Sequence, residues 1–132
     1  MLLLDTHVFL WSTDAVDRVG SNALNLIEEA SLSRQIYLSA ITFWEIAMLI
    51  RKGKTSIPLS VAHLRSRALE RGIQEIPIDG EIGIRSVLLE DFYKDPADRI
   101  IIATALGGFK LLTADRKILH WQGQLHRIDA RV

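Results

Sequence analysis

Short apolar runs alternate with longer segments of helical periodicity along almost the whole chain. Residues 2–4, 36–38 and 109–113 ("LLL", "IYL" and "FKLLT") have the length and composition of buried strands. Between them, apolar residues recur every three or four positions, as they do in amphipathic helices. This alternation is typical of an α/β fold with a central, mostly parallel sheet. We therefore predict one α/β domain spanning residues 1–132.

Two isolated acidic residues lie inside the most apolar stretches. Asp5 follows the first predicted strand, and Glu45 lies within "ITFWEIAMLI", which reads as a helix. A carboxylate is costly to bury without a partner, and neither stretch contains a Lys or Arg. Two further acids, Asp98 and Asp115, stand at the edges of other apolar runs. In open α/β sheets the carboxyl ends of the strands form the ligand-binding edge, so these acids are expected to converge there.

Converging carboxylates predict a cation site. At about 4 Å and an effective dielectric near 20, each pair of carboxylates costs about 4 kcal/mol, which favours protonation or a bound divalent cation. An all-oxygen donor set suits Mg2+, with Mn2+ as the alternative, and the absence of cysteine excludes a thiolate zinc site. The chemistry that fits is metal-assisted phosphodiester hydrolysis.

Structural explanations exist for some of these acids. Asp98 stands three residues after Asp95 and fits a helix-capping box, whereas Asp115 can pair with neighbouring cations or cap a short helix. Glu45 has no comparable explanation. The sequence has no phosphate-binding glycine loop and no zincin or serine-hydrolase motif. Phosphatases that use an aspartyl nucleophile carry a second Asp where this chain has His7, which weakens that alternative.

Four segments of the chain together resemble the acidic motifs of a known family. "LLLDTHVFLW", "SAITFWEIAMLIRKGK", "DPADRIIIATAL" and "LLTADRKI" are similar, in order and spacing, to those of PIN-domain nucleases, in particular the VapC-type toxin ribonucleases of toxin–antitoxin modules. The resemblance implies a three-layer α/β/α fold, a divalent-metal site and cleavage of single-stranded or looped RNA.

The resemblance also assigns roles to individual residues. The expected catalytic residues are Asp5, Glu45, Asp98 and Asp115. Of these, the expected metal ligands are Asp5, Asp98 and Asp115. The expected supporting residues are Thr6, which we also predict to cap the first helix, Asp95 and Thr113.

Partners are predicted less directly. Because 16 basic and 16 acidic residues cancel, only a local basic surface can attract RNA, and the candidates are Arg51, Lys52, Arg99 and Arg116. The resemblance implies a cognate antitoxin and a homodimer. We expect a cytoplasmic protein that does not enter membranes. The alternatives are a non-catalytic module whose acidic pocket holds a basic partner, and a metal-dependent phosphohydrolase of a small substrate.

Overall fold

A computed structural model describes residues 1–92 and 94–132. The strands in this part of the chain are β1 (Leu2–Leu4), β2 (Ile36–Ser39), β3 (Gln74–Ile76), β4 (Lys110–Thr113) and β5 (Arg127–Asp129). The α-helices are α1 (Thr6–Asp14), α2 (Ser21–Leu32), α3 (Ala40–Arg51), α4 (Val61–Glu70), α5 (Gly80–Val87), α6 (Pro96–Ala105) and α7 (Arg116–Leu119). A short 3-10 helix, Val16–Arg18, follows α1.

The strands form one sheet in the order β3-β2-β1-β4-β5, and all four described pairings are parallel. β1 lies at the centre; the chain runs outward from it through β2 to β3, and then crosses to β4 and β5 on the other side of β1. The carboxyl ends of β1 and β4 therefore meet at a topological switch point, which is where open α/β sheets bind their ligands. The parallel α/β prediction is confirmed.

Helices cover both faces of the sheet. Successive side chains of a strand point to opposite faces, so Leu2 and Leu4 pack into one hydrophobic cluster with Phe9 and Phe43, from α1 and α3. Leu3 packs into a second cluster on the other face, whose further members come mainly from α6 and the segment after β4: Ile101, Ile102, Ala105, Leu111, Ile118 and Trp121. The two clusters make the three-layer α/β/α arrangement that the motifs predicted.

Local capping sets where the site-bearing helices begin. Asp95 accepts hydrogen bonds from the backbone N–H groups of Ala97 and Asp98, and Pro96 occupies the first turn of α6. The prediction that Thr6 caps α1 is wrong, because Asp5 is the cap and its Oδ1 accepts from the Thr6 N–H at 2.8 Å. Thr6 is instead the first residue of the helix, where its side chain is fully buried.

In residues 1–92 and 94–132, no helix combines the length and the apolar character needed to cross a membrane.

Candidate metal centre

Acidic side chains from four parts of the chain meet at the switch point of the sheet. Asp5 follows β1, Glu45 lies in the second turn of α3, Asp98 lies in the first turn of α6, and Asp115 follows β4. The pKa of Asp98 is raised to about 8, chiefly by burial and then by the negative charges of Asp5, Asp115 and Glu45, against a smaller opposing effect of Lys117. Asp98 thus experiences the field of all three other acids, as the sequence predicted.

Asp5 is held by hydrogen bonds to both of its carboxylate oxygens. It is 4% exposed, its Oδ2 accepts a 2.6 Å hydrogen bond from the Thr113 hydroxyl, and its Oδ1 accepts from the Thr6 N–H. Burial raises the pKa of Asp5, although these two hydrogen bonds oppose the shift by favouring the ionised form. The orientation of this carboxylate is therefore fixed, but burial makes its ionised form unfavourable.

Glu45 contributes an oxygen with unused bonding capacity. Its Oε1 is buried and has no hydrogen-bond partner among the described residues. Burial raises the pKa of Glu45, the Thr6 hydroxyl opposes that shift, and Asp5 and Asp95 add to it by repulsion. A buried polar atom without a partner is expensive, and a cation is one way to satisfy it.

The most compact set of ligand atoms comprises one carboxylate oxygen each from Glu45, Asp95 and Asp98, all within 4.8 Å of one another. Asp95, predicted only to support the site, belongs to this set because it caps α6 three residues before Asp98. The predicted ligands Asp5 and Asp115 influence Asp98 electrostatically but are not members of this set.

Asp115 has a local structural role as well. It caps α7, and its Oδ1 accepts from the Lys117 N–H at 2.8 Å, so the short-helix alternative raised by the sequence is present in the structure. Its own N–H donates to the Thr113 hydroxyl oxygen at 3.1 Å. Thr113 thereby links Asp5 to the backbone of Asp115.

Sequence reasoning missed one buried contact at this site. The Thr6 and Thr42 hydroxyls lie 3.1 Å apart in a buried hydrogen bond between α1 and α3. Thr42 stands three residues before Glu45, and this helical spacing was the available signal that the two share a face. The pair helps to fix the first turn of α1 against the helix that carries Glu45.

The predicted RNA-contacting cations differ in their surroundings. Arg51 and Lys52 are exposed at the end of α3, and Arg116 is exposed at the start of α7. Arg99 is different, because its guanidinium donates to the backbone carbonyls of residues 86, 87, 89 and 92. These bonds occupy the side chain with its own protein and argue against the RNA contact predicted for it.

The donor chemistry fits a hard divalent cation. The convergent ligand atoms are carboxylate oxygens, which suit Mg2+ or Mn2+, and the partnerless Glu45 Oε1 supplies a position that a cation would satisfy. Repulsion among Asp5, Glu45 and Asp98 would be relieved by the same ion.

Comparison with known proteins gives a consistent result. A family model described as "PIN domain" matches residues 2–122. Ribonuclease VapC22 from Mycobacterium tuberculosis (strain ATCC 25618 / H37Rv) is 30% identical over 119 residues, which cover 89% of this chain and 88% of that protein. A structure described as a toxin-antitoxin complex from Klebsiella pneumoniae has a chain with a TM-score of 0.65 and 22% identity, covering 98% of both chains, and this likeness concerns the fold. The chain belongs to the PIN domain family.

Proposed function

We propose that this protein is a divalent-metal-dependent endoribonuclease and the toxin of a toxin–antitoxin pair, with residues 1–132 forming one nuclease domain. The observation that carries the proposal is the convergence on Asp98 of three other acids from separate elements, Asp5, Glu45 and Asp115. Membership of the PIN domain family and the similarity to a protein named ribonuclease support the same activity.

Mg2+ is the cation we expect, with Mn2+ as a substitute. Asp98, Glu45 and Asp95 would supply ligand oxygens, and Asp5 would add charge and a ligand from the end of β1. When bound, such an ion lowers the pKa of a water ligand and neutralises charge on a phosphodiester.

The residues around the acidic cluster orient its carboxylates and set their protonation before the ion binds. Thr113 holds one oxygen of Asp5, and the Thr6 N–H holds the other, so this carboxylate loses little freedom when a ligand arrives. Because burial and repulsion raise the pKa of Asp98 to about 8, this carboxyl group holds a proton near pH 7 until a cation displaces it.

We infer the substrate from exposed basic side chains and the partner from the acidic pocket. Arg51, Lys52 and Arg116 are exposed cations that can bind phosphate groups of a single-stranded or looped RNA. An antitoxin that inserts an arginine into the acidic pocket would bind Asp98 and its neighbours in place of the cation. We further propose a homodimer acting in the cytoplasm, where its RNA substrate is found.

The test is a comparison of substrates. Purified protein is incubated with a mixture of structured and single-stranded RNAs and, separately, with a small phosphate ester, each with Mg2+ or with EDTA. The proposal expects internal RNA cleavage with Mg2+ alone. Phosphate release from the ester without RNA cleavage would identify a small-substrate phosphohydrolase, and inactivity on both substrates would leave the non-catalytic binding module.

A further inference from the structure

Arg99 stands next to Asp98 at the start of α6, and its half-buried guanidinium binds backbone carbonyls. Nε donates to Ser86 O at 2.8 Å, Nη1 to Phe92 O at 3.1 Å, and Nη2 to Val87 O at 3.1 Å and Leu89 O at 2.9 Å. An arginine has five N–H donors in a planar fork, so one side chain can hold several carbonyls in a fixed arrangement.

Two of these carbonyls close the end of α5. Ser86 and Val87 belong to its last turn, where carbonyl groups have no partner within the helix. A positive charge at this end also interacts favourably with the helix dipole. Arg99 therefore joins the C-terminus of α5 to the N-terminus of α6, the helix that carries Asp98.

The other two carbonyls, of Leu89 and Phe92, lie in the segment 88–92 that follows α5. Asp91 in this segment has φ 56°, in the left-handed region that few non-glycine residues adopt, although Asp does so more readily than most. Trp121 contacts the same segment, since its Nε1 donates to Glu90 O at 2.8 Å and its ring packs edge-on against that of Phe92 with the ring centroids 6.1 Å apart. The segment 88–92 is thus held by two side chains that are distant in the sequence, those of Arg99 and Trp121.

We propose that Arg99 is a positioning residue of the metal site, which fixes Asp95 and Asp98 where their carboxylates can share one cation with Glu45. Asp98 directly precedes Arg99, and the Arg99 N–H donates to Asp95 O one turn earlier, so two of the three acids in the compact set lie within one turn of this anchor. Like-charged carboxylates repel one another, and an anchor that fixes the backbone that carries them keeps them together before the ion binds. The inference rests on the proposed function, in that it assumes this set binds the catalytic cation.

Arg85 provides a matched control. Its Nη1 donates to Ala103 O at 2.8 Å, near the end of α6, and its Nη2 pairs with Glu81 at 3.0 Å. It therefore also links α5 to α6 through a backbone carbonyl, but at the opposite end of α6 from Asp98. Loss of Arg85 removes one α5–α6 link without touching the contacts of residues 88–92.

The experiment measures Mn2+ and Mg2+ affinity by isothermal titration calorimetry, and folding by circular dichroism and Tm, for wild type, Arg99→Met, Arg99→Lys and Arg85→Met. We expect Arg99→Met to raise the metal Kd by about 10-fold or more, as loss of groups that orient ligands commonly does. Arg85→Met should lower Tm and leave the Kd unchanged. Arg99→Lys keeps the charge but not the fork, and should raise the Kd by less than Arg99→Met does.

Two results would overturn the positioning role. One is a wild-type Kd in folded Arg99→Met; should that variant not fold, a wild-type Kd in Arg99→Lys decides in the same way. The other is an equal loss of affinity in Arg99→Met and Arg85→Met, which would mean that any weakening of the α5–α6 contact has the same effect. Failure of the proposed function looks different, because wild type itself would then bind neither ion.

Discussion

The Thr113 hydroxyl donates a 2.6 Å hydrogen bond to the Asp5 carboxylate and thereby joins the carboxyl ends of two neighbouring strands, β1 and β4. The same hydroxyl oxygen accepts the N–H of Asp115. One small buried side chain therefore orients the acid that ends β1 and the backbone of the acid that follows β4. The predicted supporting role of Thr113 gains a physical basis from this arrangement.

Replacing Thr113 with valine should impair both stability and activity. Thr113→Val keeps the shape but leaves a buried Asp5 oxygen and the Asp115 N–H without this partner, which should cost about 1–3 kcal/mol of unfolding free energy. RNA cleavage should fall by about 10-fold or more, since Asp5 loses the group that orients it. Urea unfolding and cleavage rates measure the two effects. Thr113→Ser retains the hydroxyl and should stay close to wild type; a loss as large as that of the valine variant would contradict the hydrogen-bond explanation.

When metal is absent, the pH dependence of stability should show the titration of the Asp98 carboxyl group. Its folded-state pKa of about 8 lies above the unfolded value of about 4, so between these values the folded protein holds a proton that the unfolded chain has released. The resulting contribution to stability is complete below about pH 4 and is lost as the pH rises through about 8. In EDTA, Tm should therefore fall over this range.

Asp98→Asn and Mg2+ should each flatten that fall in Tm, the first because it removes the titrating group and the second because it neutralises it. Asp17→Asn is a matched control, since Asp17 is exposed on the 3-10 helix. The explanation fails if Asp17→Asn and Asp98→Asn have the same effect on the slope of Tm against pH.

The two candidate ligand sets can be separated by substitution. The compact set contains Asp95, whereas the motif-based set contains Asp115. We expect Asp95→Asn to weaken Mn2+ binding more than Asp115→Asn, while asparagine retains helix-capping ability at both positions. Calorimetric titration with Mn2+ measures this order, and the reverse order would favour Asp5, Asp98 and Asp115 as the ligands.

Much of this arrangement could be predicted from the sequence because it depends on patterns of residues that are close together in the chain. The strand that ends at Asp5, the helix capped by Asp95 and the apolar helix around Glu45 depend on residues close together in the chain, and the structure confirms all three. The convergence of the acids could be inferred only because parallel strands place their carboxyl ends at one edge.

The contacts of Arg99 could not be predicted from local sequence patterns. Its basic side chain beside a predicted site favoured an RNA contact, but its partners are backbone carbonyls at positions 86 to 92, and backbone groups carry no residue-specific signal. The cap of α1 was misassigned for a related reason. Asp5 and Thr6 are both good capping residues, and the choice between them depends on where β1 ends.

An antitoxin should protect the acidic pocket. We expect the chain to co-purify with the small product of a neighbouring gene, and a basic segment of that product to inhibit RNA cleavage by pairing with Asp98 and its neighbours. Co-expression and pull-down test the association, and addition of the isolated segment tests the inhibition. A tight partner that leaves cleavage unchanged would refute the inhibitory mechanism.

The most direct test of the central claim measures Mn2+ binding and RNA cleavage in the same preparations of wild type, Asp98→Asn and Asp17→Asn. The account predicts that wild type and Asp17→Asn bind the ion and cleave RNA only when it is present. Asp98→Asn should be folded by circular dichroism, bind Mn2+ much more weakly and leave RNA intact. Metal-dependent cleavage by folded Asp98→Asn at the wild-type rate would contradict the assignment of this acidic cluster as the catalytic metal site.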